Sequence, residues 1–401
     1  MNEAPSTQRW LVLGNVVAMN FVVTGMAWSY VVVIVAPIVE DLGLGLRDWG
    51  TLWSGLSLGA LLGALPAGAL GDRYGVRKVV TLGALAMAGT LALRAVGASF
   101  PAVLAAMVLY GVTLSVVSAN LPKALGTWFP PEQLGLANGA ALGGNGGGQG
   151  LAAFAAPLLV GSVGGWRGLT FVLAAAVAAL ALVWAVCVRD RALPAGAPAP
   201  GGMLRELFAV LRIREVWLVA ATYFFFLAGY LGVVSYLPTY LVQARGLAPA
   251  QAGGVLTVVL VSYVVGSLLL PGLSDRIGLR RAVYTPGILL AGLMLFATHA
   301  MVGPALVAVA VVWGVAAGAI ALVFVVPLEL ERVGPAFAGS AIGATLLAGF
   351  LGGFLSPIAG LALAERSPVS AFLFWAACYA ASAFCFWLLP ETGSARRAES
   401  A

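Results

Sequence analysis

Residues 68–81 read GALGDRYGVRKVVT and join two long apolar runs. The wording returns at residues 271–283 as PGLSDRIGLRRAV, 203 positions on (275 − 72). Asp72, Arg73, Gly75 and the pair Arg77–Lys78 answer to Asp275, Arg276, Gly278 and the pair Arg280–Arg281. In a chain of 401 residues the echo falls almost half a length away. Such an echo marks a duplicated membrane unit whose halves are related by a pseudo-two-fold axis. Positive charge alone collects in cytoplasmic loops. Two copies of Asp, Gly and paired basic residues at one spacing ask for more than that bias.

Composition sets the class independently. Hydrophobic residues make up 61% of the chain and charged residues 9%, where a soluble domain carries about 25% charged. One His and three Cys leave little for a metal cage or a disulfide framework. Cys378 and Cys385 are seven apart on one expected helix, roughly 10 Å along its axis and too far to bridge. No cofactor is expected. The net charge of +6 sits at the ends of apolar runs, so it speaks for topology and against nucleic acid. The N-terminal MNEAPSTQRW leads directly into an apolar run longer than the core of a signal peptide, so that run is expected to be kept as the first helix.

Twelve apolar runs come near the ~20 residues that span a bilayer. They cover about 10–39, 49–70, 76–98, 101–126, 133–160 and 166–188 in the first half. In the second half they cover 216–242, 253–271, 279–300, 304–328, 335–364 and 369–389. Between the sixes lies a Pro- and Gly-rich stretch, residues 189–215, read as a cytoplasmic linker ending in a short amphipathic surface helix. The predicted fold is all-α and polytopic: a six-helix bundle over 1–188, the linker, and a second bundle over 216–401. Alternate loops hold sixteen Lys or Arg on one side and four on the other, with Arg94 inside the third helix. That bias places both termini and the linker in the cytoplasm.

The 68–78 stretch resembles the loop between the second and third helices of the major facilitator superfamily, carried by Gly68, Leu70, Asp72, Arg73, Gly75, Arg77 and Lys78. The resemblance implies two pseudo-symmetric six-helix bundles working by alternating access, with helices 1, 4, 7 and 10 around a central site, helped by 5, 8 and 11. It also implies a cytoplasmic gate built from Gly68, Asp72, Arg73, Gly75 and Arg77, with Asp275, Arg276 and Arg280 as its second copy. Asp72 is expected to open the third helix, accepting from free backbone N–H groups and from Arg77.

Helix 5 carries GLANGAALGGNGGGQGLAAFAAPLLV, residues 135–160. In lipid, glycine lets backbones approach closely. Gly135, Gly139 and Gly143 form one ridge and Gly144 and Gly148 another. Asn145 and Gln149 stand one turn apart at mid-depth, where an amide must face protein or a wet path. The run Ala141, Gly144, Asn145, Gly147, Gly148 is similar to the helix 5 motif of nitrate/nitrite porters. Lys123–Gly139 with Gly165–Phe171 is similar to the anion:cation symporters of organic acids. Nitrate porters place an Arg in each of helices 2 and 8, and neither 49–70 nor 253–270 holds one. The drug/proton antiporters want an Arg where this chain has Met107.

Further residues at membrane depth complete the candidate site. Asn20, Thr24 and Trp28 recur every fourth residue and share a face of helix 1. Tyr223, Phe226 and Tyr230 form a stripe on helix 7, read as packing or as substrate contact; Tyr110 and Tyr263 are weighed the same way. Lys123 is matched to the organic-acid branch. Arg94 lies four residues from the outer loop, where it can snorkel to the interface or guide an anion. Trp10, Trp49, Trp166 and Trp387 read as interfacial anchors. No Asp or Glu falls near the middle of any run, which disfavours cationic cargo. Catalytic and nucleotide-binding motifs are lacking, and His299 stands alone, so no enzyme is expected. The expectation is a monomeric transporter of the bacterial-type plasma membrane moving a small organic anion, such as a carboxylate, possible companions being H+ or Na+. Efflux of a neutral hydrophobic compound is the alternative, and a non-transporting solute sensor the alternative of another class.

Overall fold

Gly75 and Gly278 hold φ of +88° and +77°, left-handed backbone that a side chain resists. Each ends a helix, its N–H bonded to the carbonyl of residue 71 or 274 four places back (3.0 and 2.9 Å), and the next helix begins one or two residues on. The duplicated loop is thus duplicated in conformation as well as in wording.

The computed structural model describes residues 6–189, 212–330 and 332–393. Every regular element among these residues is helical. The first span, α1, is broken into Ser6–Met19, a π-helical stretch Asn20–Met26, Ala27–Ser29, a 3-10 turn Tyr30–Val33, and Val35–Leu42. There follow α2 (Leu46–Tyr74), α3 (Val76–Val96), α4 (Phe100–Trp128), α5 (Pro131–Leu159) and α6 (Gly165–Cys187). The second half has α7 (Arg214–Gln243), α8 (Pro249–Ile277), α9 (Arg280–Ala297), α10, α11 (Gly334–Ala364) and α12 (Pro368–Trp387). Here α10 runs Gly303–Ala317, tightens to a 3-10 stretch over Gly318–Phe324 and ends in Val326–Glu329. Proline in the first turn of α4, α5, α10, α11 and α12 removes a donor that a helix start cannot use.

Nine helices among the described residues are long and apolar enough to cross a bilayer, and α2, bent by 49° at Pro66, makes a tenth. The twelve-segment order is completed by α5 and α9. Eight glycines with Asn145 and Gln149 dilute the apolar character of α5, and α9 is short and opens on two arginines. The surface helix expected late in the linker lies largely outside the described residues.

Close contacts divide the chain into two compact units. Residues up to 189, with Leu241–Thr257, make the first; residues 212–240, with those from Val258 onward, make the second. Inside each unit, glycines let helix backbones touch. A Cβ on Gly59 or Gly111 would overlap the Val108 or Leu56 carbonyl, which seats α2 on α4. In the second unit Gly266 and Gly314 meet the Val315 and Val259 carbonyls in the same way, seating α8 on α10. Gly148 of α5 lies against the Phe21 carbonyl of α1, and Gly352 of α11 against the Phe224 carbonyl of α7. The offsets are 203 for Gly111/Gly314 and Phe21/Phe224 and 204 for Gly148/Gly352, so the repeat reaches far beyond the loops.

Only one of the two ridges on α5 packs. Gly144 and Gly148 face Val17 and Phe21, whereas Gly135, Gly139 and Gly143 have open space around them. The aromatic anchors also divide. Trp10 and Trp387 are half-exposed, but Trp49 and Trp166 are 1% and 4% exposed and belong to the core of the first unit.

Gly148→Val in detergent-solubilised protein is expected to cost about 1–3 kcal/mol, the usual penalty of overpacking. Gly139→Ala is expected to be neutral or slightly stabilising, since alanine favours a helix by up to about 1 kcal/mol over glycine. Thermal unfolding of both variants checks the assignment of the packing ridge.

Candidate functional site

The four polar residues read from helices 1 and 5 come together in one hydrogen-bonded chain. Asn20 and Thr24 stand on the π-helical stretch of α1, where a π-turn widens the helix and loosens its regular bonding. Thr24 Oγ1 donates to the Asn20 carbonyl (2.9 Å) and lies 3.2 Å from Asn20 Oδ1. Asn145 Nδ2 donates to Thr24 Oγ1 (2.7 Å), and Gln149 Nε2 donates to Asn145 Oδ1 (2.7 Å). Ser29 Oγ closes the far end on the Gln149 carbonyl (2.9 Å). The glycine contact at Gly148 allows this, because it brings α5 against α1 at the depth where the amides stand. Asn20, Asn145 and Gln149 keep partial exposure. The chain offers a solute both amide donors and carbonyl acceptors.

Trp28, on the same span, meets Trp53 edge-on at 5.2 Å, and Trp53 stacks on Trp49 at 6.4 Å. Tyr110 is buried, its hydroxyl 3.5 Å from the Val23 carbonyl. Its ring centroid is 5.2 Å from the guanidinium carbon of Arg94. Arg94 does not snorkel: it is 2% exposed inside the first unit.

In the second unit the aromatic stripe is a cluster. Tyr230 stacks on Phe226 (5.9 Å) and on Tyr263 (5.5 Å), and Phe226 meets Tyr379 edge-on (5.3 Å). Tyr223 packs edge-on against Phe324 (5.0 Å), which the 3-10 stretch of α10 supplies. Tyr223, Tyr230 and Tyr263 retain partial exposure, so the cluster is packing with an open edge.

The gate motif is wired differently from its reading in sequence. Asp72 belongs to the last turn of α2, not the first turn of α3, and no side chain caps α3. Its ion-pair partner is Lys123, whose Nζ lies 2.5 Å from Asp72 Oδ1 and 2.7 Å from the Gly68 carbonyl. Lys123 is therefore engaged at the loop. Arg77 donates to the Ala185 carbonyl at the end of α6. Arg73 is exposed, its guanidinium 5.3 Å from the Tyr74 ring. In the second copy Arg280 Nη1 donates to Asp275 Oδ1 (2.5 Å), and its Nε and Nη2 hold Glu329 (3.2 and 2.7 Å). Arg281, at the position of Lys78 in the repeat, donates to the Leu389 carbonyl after α12, a bond of the kind that Arg77 makes in the first copy. Arg276 is exposed. Each loop is thus tied to the end of the fourth and the sixth span of its own unit.

Three contributors escaped the sequence reading. Asn120 is fully buried and donates to the Ala67 carbonyl (2.9 Å) behind the bend of α2. Glu329 ends α10 and is the second acid paired with Arg280, with Thr392 donating to it (2.8 Å). Glu391 accepts from the backbone N–H groups of Arg280 and Arg281 (2.7 and 3.1 Å), capping α9 from the far end of the chain. For the two acids the available signal was a carboxylate at the end of an apolar run. Asn120 gave none apart from its depth.

A sequence model of the Major Facilitator Superfamily matches residues 17–357. The probable nitrate/nitrite transporter NarK2 of Mycobacterium tuberculosis (strain ATCC 25618 / H37Rv) is 29% identical over 353 residues, 84% of this chain and 85% of that protein. The 3-(3-hydroxy-phenyl)propionate transporter of Escherichia coli (strain K12) is 30% identical over 250 residues, 60% of this chain and 59% of that one. Among solved structures, a point mutant of the nucleoside transporter NupG superposes with a TM-score of 0.80 at 16% identity, over 94% of this chain and 99% of NupG, which is a likeness of fold. With a duplicated six-span unit and the repeated loop already in hand, the match along 17–357 settles the matter: the chain belongs to the Major Facilitator Superfamily and is a membrane transporter, not an enzyme.

Proposed function

We propose that the chain moves a small organic anion, a carboxylate in the first place, across the plasma membrane by alternating access, driven by co-transported H+ or Na+. Both termini and the 189–215 linker lie in the cytoplasm in this reading, as the charge bias of the loops favours. The observation that carries it is the placement of charge. All 15 acidic residues stand at span ends, in loops or in the terminal stretches, whereas a cation, Arg94, is buried in the first unit. A carboxylate at depth would repel an anion; a guanidinium attracts one. The relatives point the same way, one named for nitrate/nitrite and another for a hydroxyphenylpropionate. The paired arginines of the nitrate branch have no counterpart in 49–70 or 253–270, which favours the carboxylate over nitrate.

Within this reading Asn20, Thr24, Asn145 and Gln149 contact the solute, Tyr110 and Trp28 flank them, and Tyr223, Tyr230 and Tyr263 present an aromatic surface. The support is their shared hydrogen-bonded chain in one unit and their partly exposed cluster in the other. Lys123 works at the gate, since Asp72 and the Gly68 carbonyl already occupy its ammonium.

Proteoliposomes holding the purified protein are expected to take up labelled 3-phenylpropionate saturably, with imposed H+ and Na+ gradients identifying the driving ion. Uptake confined to neutral nucleosides or hydrophobic cations would contradict the anion reading. Asn145→Ala breaks the chain at its centre and is expected to lower uptake roughly 5- to 100-fold, the equivalent of about 1–3 kcal/mol for an orphaned buried partner. Asn138→Ala, on the same helix but bonded only to the Leu134 carbonyl, should leave uptake within twofold. At the gate, Asp72→Asn and Lys123→Met should couple by about 0.2–1 kcal/mol in a double-mutant cycle of thermal unfolding, as befits a partly exposed pair. Lys123→Met should lower the maximal rate while leaving KM unchanged.

A further inference from the structure

Arg94 stands among α1, α3 and α4 of the first unit, with no carboxylate paired to it among the described residues. Its Nη1 lies 3.1 Å from Met107 Sδ, and its guanidinium carbon is 5.2 Å from the ring centroids of both Tyr30 and Tyr110. Among the described residues Arg94 and Arg280 are the charged residues that are buried, and Arg280 has two acids. Arg94 has a thioether and two aromatic faces. Those faces attract a cation modestly, far short of what a guanidinium forfeits on leaving water. Its Nε and Nη2 are buried and have no hydrogen-bond partner among the described residues.

These two atoms form one edge of the guanidinium, the edge whose parallel N–H groups match a planar pair of oxygens. Elsewhere in the molecule that edge holds an acid at two arginines and, at Arg77, the Ala185 carbonyl. Arg280 holds Glu329 with it, Nε to Oε2 at 3.2 Å and Nη2 to Oε1 at 2.7 Å. Arg167 holds Asp41 with it, Nε and Nη2 reaching Oδ2 at 3.1 and 2.8 Å. In Arg94 the edge is buried in the unit with no acid on it among the described residues.

The geometry points to the Nε/Nη2 edge of Arg94 as an anion-binding site that receives the planar oxyanion end of the cargo, the identity of that ligand resting on the anion reading above. Tyr30 and Tyr110 would act as its walls. Tyr30 rides on the 3-10 turn Tyr30–Val33, next to the break in α1 at Ile34, and Tyr110 is held to the Val23 carbonyl only at 3.5 Å. Displacement of this broken stretch is what would admit the anion.

The test compares wild type, Arg94→Gln and Arg94→Lys in detergent, titrating sodium 3-phenylpropionate, sodium nitrate and sodium chloride at matched ionic strength while following thermal unfolding. A ligand that favours the folded state raises Tm with saturation. Wild type should show this rise with the two planar oxyanions more than with chloride. Arg94→Gln should lose the rise while its Tm without anion is unchanged or higher, because an uncompensated buried charge has been removed. A purely structural arginine would behave in the opposite way, with a lower starting Tm and the anion response retained, and that result overturns the site. So does a wild type that responds to none of the three salts. Arg94→Lys keeps the charge and loses the fork; it should bind about tenfold more weakly, the loss of one charge-assisted bond. If Arg94→Gln is not recovered folded, an unchanged half-saturating concentration in Arg94→Lys overturns the proposal by itself. Proteoliposome uptake separates the two readings. An Arg94-dependent shift without carboxylate uptake keeps the site and removes the proposed transport. Uptake by Arg94→Gln with wild-type KM removes the site and keeps the transport.

Discussion

A polar group inside a bilayer finds its partner in the protein or not at all, and this constraint orders most of what the structure does. Asn20 and Thr24 stand on a π-helical stretch in the first span; Thr24 donates to Asn20 and accepts from Asn145 of α5, which in turn accepts from Gln149. That meeting needs two backbones at contact distance. Gly148 provides it by leaving room for the Phe21 carbonyl. The glycines that look like a helical weakness are what allow a polar chain to exist at depth. Arg94 is a place where a buried charged group, on two of its nitrogens, has no partner among the described residues.

Duplication supplied the frame, and divergence within it supplied the asymmetry. Gly75 and Gly278 share a positive φ, Gly111 and Gly314 share a helix contact, and Arg77 and Arg281 each donate to a carbonyl at the end of the sixth span of their half. The acids part company. Asp72 is answered by a base from the fourth span, Lys123. Asp275 is answered by Arg280, which also takes an acid, Glu329, from the tenth. One loop is closed by a partly exposed single pair, the other by a bidentate bond and a tail residue, Glu391, capping α9. The first is the weaker hold, since an exposed pair is screened and a bidentate bond at a buried guanidinium is not.

Much of this was legible in the residues. Periodicity and hydropathy located twelve segments, because apolar length is a property of the local chain. The i, i+4 spacing of Asn20 with Thr24 and of Asn145 with Gln149 predicted shared faces, and the two faces meet. Partnership across helices was less legible. Arg77 lies nearer Asp72 in sequence than Lys123 does, yet the structure pairs Lys123 with that carboxylate, because helix packing sets the distances between side chains. Arg94, four residues from the outer loop, reads in sequence as able to snorkel or to guide an anion; burial against Tyr30 and Tyr110 is a tertiary fact that no window of sequence contains. Trp49 and Trp166 misled for the same reason, standing at span ends but facing inward. Asn120 and Glu391 act on segments distant in sequence, which no local pattern identifies as their partners.

The account stands on the polar chain of α1 and α5 being a wetted solute path and not a buried staple. The direct test is thiol accessibility in membranes, with Cys187, Cys378 and Cys385 replaced by Ser and Gln149→Cys or Asn20→Cys introduced singly. A membrane-impermeant thiol reagent should label both positions, and 3-phenylpropionate should slow the labelling in a saturable way. Cysteines at both positions that stay unreactive from either side of the membrane, in protein that is folded and inserted, would contradict it.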